Sequence, residues 1–294
     1  MKNIDETVQH AVRRLEIRAR HRVEALFGGA YRSAFKGRGL EFAEVRPYQR
    51  GDDVRAIDWN VSARTGDTYV KVFEEEREQT VIVAVDVSAS QAFGTGAATK
   101  RTVATEVAAL VAFSALHHQD AVGLLLFTDQ IEVQRPPRNT RRHVLHSLRT
   151  LLSHTPASRQ TDLRVPLRYL LARMRRPATV LLVSDFMDDG YASLLRAVAH
   201  RHDLIGVHVH DPGEAELPPG GLIPLTDAET GTTRLVDARD PATRRAVKQA
   251  AQEHQAQVAS ILRTAQADYL SLPTTGNTAE ALIGFFQRRI HAHS

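Results

Sequence analysis

After Thr80 the chain alternates between unbroken apolar runs and segments whose apolar residues recur every three or four positions. The runs 81–85, 121–127, 179–184 and 204–210 read as strands buried on both faces, as in a parallel sheet. Between them the spacing predicts helices over about 100–117, 141–153, 162–175 and 191–202, with a short strand at 131–134. Residues 211–240, rich in Pro, Gly and Thr, read as an irregular or hairpin excursion. A long polar helix (241–265), a short strand (269–272) and a closing helix (278–291) follow. Strands alternating with helices predict an α/β fold with an open, doubly wound, mostly parallel sheet of Rossmann type.

Upstream the pattern differs. Ile4, Val8, Ala11, Leu15, Ala19, Val23 and Leu26 recur at helical spacing, so an amphipathic helix is expected, ended by Gly28 and Gly29. Its other face carries Arg13, Arg14, Arg18, Arg20 and Arg22 and reads as a solvated flank. Residues 33–79 show short alternating runs between turn-rich pieces, a small β-rich unit in which Trp59 is expected to anchor the core. The organisation expected is therefore 1–79, helix plus β-rich unit, and 80–294, the α/β domain.

The longest apolar run, 107–116, is about half of a bilayer span and reads as a buried helix. The first residues show no apolar core of a leader, which makes the cytoplasm the expected compartment. Among 294 residues there are 38 Lys and Arg, 34 Asp and Glu, and no Cys. That excludes disulfides, thiolate nucleophiles and thiolate metal sites, and leaves oxygen and imidazole chemistry. A net charge of +4 is a mild bias toward acidic partners.

In open α/β sheets ligands bind beyond the carboxyl ends of the strands. The first strand runs into Asp86-Val87-Ser88-Ala89-Ser90, a carboxylate and two hydroxyls at alternate positions. Thr161 lies just before a helix, and the strand at 179–184 runs into Asp185. Hard oxygens from separate edges of one sheet fit Mg²⁺, which takes six oxygens and keeps several waters.

Asp86-Val87-Ser88-Ala89-Ser90, Thr161 and Asp185 on this strand pattern resemble the metal-ion-dependent adhesion site (MIDAS) of von Willebrand factor A domains. The segment Gly37-Arg38-Gly39-Leu40-Glu41-Phe42-Ala43-Glu44-Val45-Arg46 is similar to the hallmark of a bacterial group known as domain-of-unknown-function family fifty-eight. So are Gly51-Asp52-Asp53-Val54-Arg55 and Ile57-Asp58-Trp59-Asn60. The resemblance implies that Asp86, Ser88, Ser90 and Thr161 ligate Mg²⁺ (or Mn²⁺ or Ca²⁺), with Asp185 reaching it directly or through water. It further implies a non-enzymatic protein-interaction role, in which an acidic side chain of a partner completes the shell. The implied partner is a MoxR-type AAA+ ATPase or its client, in complex maturation or assembly. Many members carry Met where this chain has Gln91.

Other readings are weaker. Asp86 and Asp185 could instead serve a metal-dependent hydrolase or nuclease. Gly94 to Lys100 imitates a phosphate loop but lacks its Gly-Lys-Ser/Thr ending. Asp188 and Asp189 read as a turn before a helix. Arg135, Arg138, Arg141 and Arg142 could meet phosphates, but no aromatic residues interleave with them for base stacking.

Overall fold

The computed structural model describes residues 11–17, 44–49, 52, 54, 57, 59–72 and 78–293. Two units divide them: 36–78, and 1–35 together with 79–294.

In the larger unit, helix α1 (11–17) precedes the small unit in the chain. Beyond the small unit come β3 (Thr80–Asp86), α3 (Lys100–His117), β4 (Ala121–Phe127), β5 (Ile131–Arg138), α4 (Arg141–Ser153), α5 (Arg164–Arg173) and β6 (Thr179–Ser184). They continue as α6 (Ala192–Arg201), β7 (Asp203–His210), β8 (Leu222–Thr226), β9 (Thr233–Asp237), α7 (Pro241–Thr264), β10 (Asp268–Pro273) and α8 (Thr278–His293). The main sheet has the order β10-β7-β6-β3-β4-β5. All its pairings are parallel except β4 with the edge strand β5.

Alternation along β3 explains the two layers. Val81, Val83 and Val85 point into a core shared with α3, α4 and α8, whereas Ile82 and Ala84 face a second core with α5, α6 and α7. Both faces are covered, so the strands are continuous apolar runs. In α3 every residue from Val107 to Ala115 is buried. Thr99 caps it by accepting from Thr102 N at 3.2 Å.

The antiparallel strand β5 runs to Arg138, four residues past its expected end, through Pro136 and Pro137. An edge strand tolerates prolines because it has no neighbour on its outer side. Helix α5 begins at Arg164 rather than Asp162, because the Asp162 carboxylate accepts from Arg164 N and works as a turn former. Residues 211–240 contain a short 3₁₀ turn, Pro212–Ala215, and the antiparallel hairpin β8–β9.

Helix α1, expected with the β-rich unit, belongs instead to the α/β unit. Val12 is buried, Leu15 packs on the main core, and Glu16 pairs with Arg141 at 2.7 Å. The rest of the expected helix, with Gly28 and Gly29, lies outside the described residues.

In the smaller unit β1 (Glu44–Pro47) pairs antiparallel with β2 (Tyr69–Val72), and α2 spans Trp59–Thr65. Arg46 grips both oxygens of Asp52 at 2.7 Å in a bidentate fork, and Gln49 N donates to the same carboxylate. Trp59, expected in the core, stands at the first position of α2 and is 70% exposed; Val70 is buried instead. Residues 37–43 of the hallmark segment lie outside the described residues. Among the described residues no helix is long and apolar enough to cross a membrane.

Candidate metal centre

The sheet grows outward from β3 in opposite directions: through β4 and β5 on one side, through β6, β7 and β10 on the other. The carboxyl ends of β3 and β6 therefore flank the switch point where crevices form in such sheets. Asp86 closes β3, Ser184 closes β6, and Asp185 follows it.

Asp86 is wholly buried. One carboxylate oxygen accepts from Ser88 N at 2.9 Å and the other from Ser184 Oγ at 2.7 Å. No basic side chain pairs with it among the described residues. Burial, reinforced by the charge of Asp185, pushes its pKa up to about 7. A buried carboxylate lacking a counter-charge is a group whose desolvation a cation would relieve.

Ser88 and Ser90 bring their hydroxyls within 3.1 Å of one another on the 3₁₀ turn Ala89–Ala92. The loop carrying Thr161 is tied to this turn by Ala89 N donating to Arg159 O at 3.0 Å. The five expected ligands thus lie on three neighbouring loops. No group of three or more His, Asp or Glu suited to a metal occurs among the described residues, so a cation here needs the hydroxyls. The donor set, two carboxylates and three hydroxyls, fits Mg²⁺.

Two expected ligands, Asp185 and Thr161, are each engaged by an ionisable side chain. Asp185, 2% exposed, accepts from Lys100 Nζ at 2.7 Å, and Lys100, 1% exposed, also donates to Glu214 at 2.6 Å. Burial works against the ammonium, but Asp185 and Glu214 outweigh it and hold its pKa above the ordinary lysine value. Thr161 Oγ donates to Glu229 at 2.6 Å and Thr161 N to the other oxygen at 3.2 Å. Burial and the charge of Asp185 raise the Glu229 carboxyl above its usual range.

Glu229 sits in the turn of the β8–β9 hairpin. Arg159 holds that turn through Ala228 O at 2.8 Å. Glu214 is positioned by a capping box: Asp211 accepts from Gly213 N while Asp211 N donates to Glu214. Asp211 also accepts from Thr95 and Thr274. The segment that imitates a phosphate loop therefore contributes Thr95 and Lys100 to the surroundings of this centre. A Cβ at Gly213 would lie 2.3 Å from Thr95 Cγ2, so a side chain there would have to displace Thr95 from Asp211.

Lys100, Glu214 and Glu229 were not expected from the sequence. A signal existed only for Glu214, as Asp211 three residues before an acidic residue. Gln91 is wholly buried and its Oε1 has no partner among the described residues. Phe186 adopts φ 56°, unusual for a bulky residue, and its buried ring packs on Tyr191 and His208. Asp188 accepts from Leu163 N at 2.8 Å, so it serves the loop ahead of α5.

Several proteins are similar to this chain. An uncharacterized protein of Mycobacterium tuberculosis is 34% identical over 288 residues, covering 97% of this chain and 90% of that protein. One from Mycobacterium avium is 32% identical over 161 residues, 53% of this chain and 94% of its own length. Among solved structures, an aerotolerance-related membrane protein of Bacteroides fragilis is 15% identical, with a TM-score of 0.48, covering 73% of this chain and 99% of that chain. The conserved hypothetical protein BatB of Bacteroides thetaiotaomicron is also 15% identical, with a TM-score of 0.45, covering 74% and 100%. The family model described as protein of unknown function DUF58 matches residues 44–257, across both units, and the chain belongs to that family.

Proposed function

We propose that this chain is a von Willebrand factor A-type protein-interaction module with a MIDAS-like centre. Asp86, Ser88, Ser90, Thr161 and Asp185 would hold Mg²⁺, or Mn²⁺ or Ca²⁺, and an acidic side chain of a partner would complete the shell. The observation that carries this reading is the wholly buried Asp86 without a counter-charge. Glu229 on Thr161 adds that a carboxylate already fits against this loop.

The bound cation supplies positive charge toward an incoming carboxylate. The chain's own residues set the rest. Ser88 N and Ser184 orient Asp86, the paired hydroxyls of Ser88 and Ser90 face one another, and Lys100 offsets the charge of Asp185. Glu229 occupies the Thr161 hydroxyl, so an incoming carboxylate must displace the hairpin turn or bind beside it. The family resemblance points to a MoxR-type AAA+ ATPase or its client as partner, in cytoplasmic complex maturation or assembly.

The test is affinity purification in parallel with Mg²⁺ and with EDTA, using wild type and Asp86→Ala with folding checked by circular dichroism. A partner retained only by wild type in Mg²⁺ supports the proposal. Retention in EDTA and by the variant overturns it.

A hydrolase or nuclease is the second reading, since a carboxyl with a pKa near 7 suits acid–base chemistry. Against it, Asp188, the further carboxylate that a second ion would need, is held by Leu163 N. Mg²⁺-dependent turnover lost in Asp185→Ala would favour the enzyme.

A further inference from the structure

At the opposite end of the sheet lies a basic groove that the metal centre does not use. Arg138 on β5 pairs with Val122 at the start of β4, whereas Asp86 pairs with Phe127 at its end. The two sites are thus about 16 Å apart along the strand direction. The groove has a volume of about 760 Å³ and lies between β5 and α4, lined by Arg135, Arg138, Arg141, Arg142 and Arg149 with His143 and His146.

Among the described residues only Arg141 of these arginines has a carboxylate partner, Glu16. Arg135 reaches the Thr150 hydroxyl, but its buried Nε has no partner. Arg138, Arg142 and Arg149 have no acidic partner among the described residues. Besides burial, the surrounding arginines depress the pKa of both His143 and His146, so the positive charge is not offset locally.

The local sequence also works against its own helix. Helix α4 opens with Arg141, Arg142 and His143 and has no acidic residue in its first turn. Cations at a helix N-terminus oppose the helix dipole, which favours anions there. Such a break of a local rule is expected where a ligand supplies the compensation. The pocket is of small-molecule size, and its cations converge from two elements instead of forming an extended stripe. Among the described residues no Phe, Tyr or Trp lines it, so a base would meet only guanidinium and imidazole planes.

We propose that this groove binds a compact, multiply phosphorylated anion, an inorganic polyphosphate or the phosphate chain of a nucleotide, recognised through its phosphates alone. Arginine forks suit phosphate oxygens, and the start of α4 adds the backbone N–H groups of Arg141 and Arg142, those of His143 and Val144 being bonded to Thr140.

The experiment is calorimetric titration of the full chain in EDTA with sodium tripolyphosphate, ATP and a short DNA duplex, on wild type, Arg142→Glu and Arg142→Gln/Arg149→Gln. Tripolyphosphate and ATP should bind with affinities within about threefold of one another, weaken with salt, and bind the variants at least about tenfold more weakly. Without ligand, Arg142→Glu should raise Tm by about 1–2 °C, because an acidic residue suits that turn. Absence of tripolyphosphate binding at millimolar concentration overturns the proposal, as does binding that the variants leave unchanged. So does tight duplex binding that tripolyphosphate does not displace, which would assign the groove to nucleic acid. EDTA keeps these outcomes separate from the metal centre.

Discussion

Asp86→Asn in metal-free protein isolates the charge on which the metal centre rests. The amide keeps an acceptor for Ser88 N, and the Ser184 hydroxyl can turn to accept from its NH₂ group, so shape and hydrogen bonding are largely retained. What is removed is a buried negative charge. The Asp86 pKa of about 7 lies roughly three units above an ordinary aspartate, equivalent to about 4 kcal/mol between the two protonation states. The sign follows from linkage. Between about pH 4 and pH 7 the folded protein keeps a proton that the unfolded chain has released, so this group's contribution to stability falls as pH rises through that window and levels off above it. Relaxation around the carboxylate reduces the full value. In EDTA at pH 8 Asp86→Asn should therefore be more stable than wild type by about 2–4 kcal/mol, and near pH 4 the advantage should disappear. Adding Mg²⁺ at one hundred times its dissociation constant should stabilise wild type by about 2.7 kcal/mol and leave the variant unmoved. Urea unfolding followed by circular dichroism at the two pH values, with EDTA and with Mg²⁺, reads all four conditions. A variant less stable than wild type at pH 8 in EDTA, or one that Mg²⁺ stabilises equally, would refute the reasoning.

Three further outcomes can be measured on purified protein. Lys100→Met leaves the buried Asp185 carboxylate without its cation, beside the partly exposed Glu214, and should cost about 3–5 kcal/mol in urea unfolding. Because the folded pKa of Lys100 lies above the ordinary value, its contribution is complete below about pH 10.5 and fades as pH rises through the folded value, so wild type should lose stability there and the variant should lack that loss. Gln91→Met removes a buried, unpartnered oxygen and should raise stability by about 1–2 kcal/mol, read in the same assay; a loss would show that the Gln91 amide has an unrecognised role. Glu229→Ala frees the Thr161 hydroxyl and should increase Mg²⁺-dependent retention of an acidic partner by about fivefold to tenfold; unchanged retention would mean that the hairpin turn does not compete.

The strands β3, β4, β6 and β7 were legible because each is buried on both faces, which forces continuous apolar runs such as Ala121–Phe127. The candidate ligands Asp86, Ser88, Ser90 and Asp185 were legible for a related reason: strand ends are fixed once the runs are placed, and these residues stand at or just beyond them. Lys100 was hidden because nothing local distinguishes a helix-opening lysine in solvent from one whose ammonium meets Asp185, 85 residues away. Glu229 was hidden for the same reason: the hairpin carrying it exposes Leu222 and Leu235 and shows no buried face that would betray its docking. Trp59 misled through its size, since bulk alone argues for a core position while Val70 fills that role. The edge strand β5 outran its apolar pattern because prolines and arginines are admissible on an unpaired flank.

The central claim is that the loops after β3 and β6 and the Thr161 loop form a divalent-cation site. Calorimetric titration of Mg²⁺ and Mn²⁺ into metal-free wild type and into Asp86→Ala tests it most directly. One site per chain in wild type, absent from a variant that retains its circular dichroism spectrum, is the predicted result. No binding by wild type even with an acidic partner present, or equal binding by the variant, would contradict it.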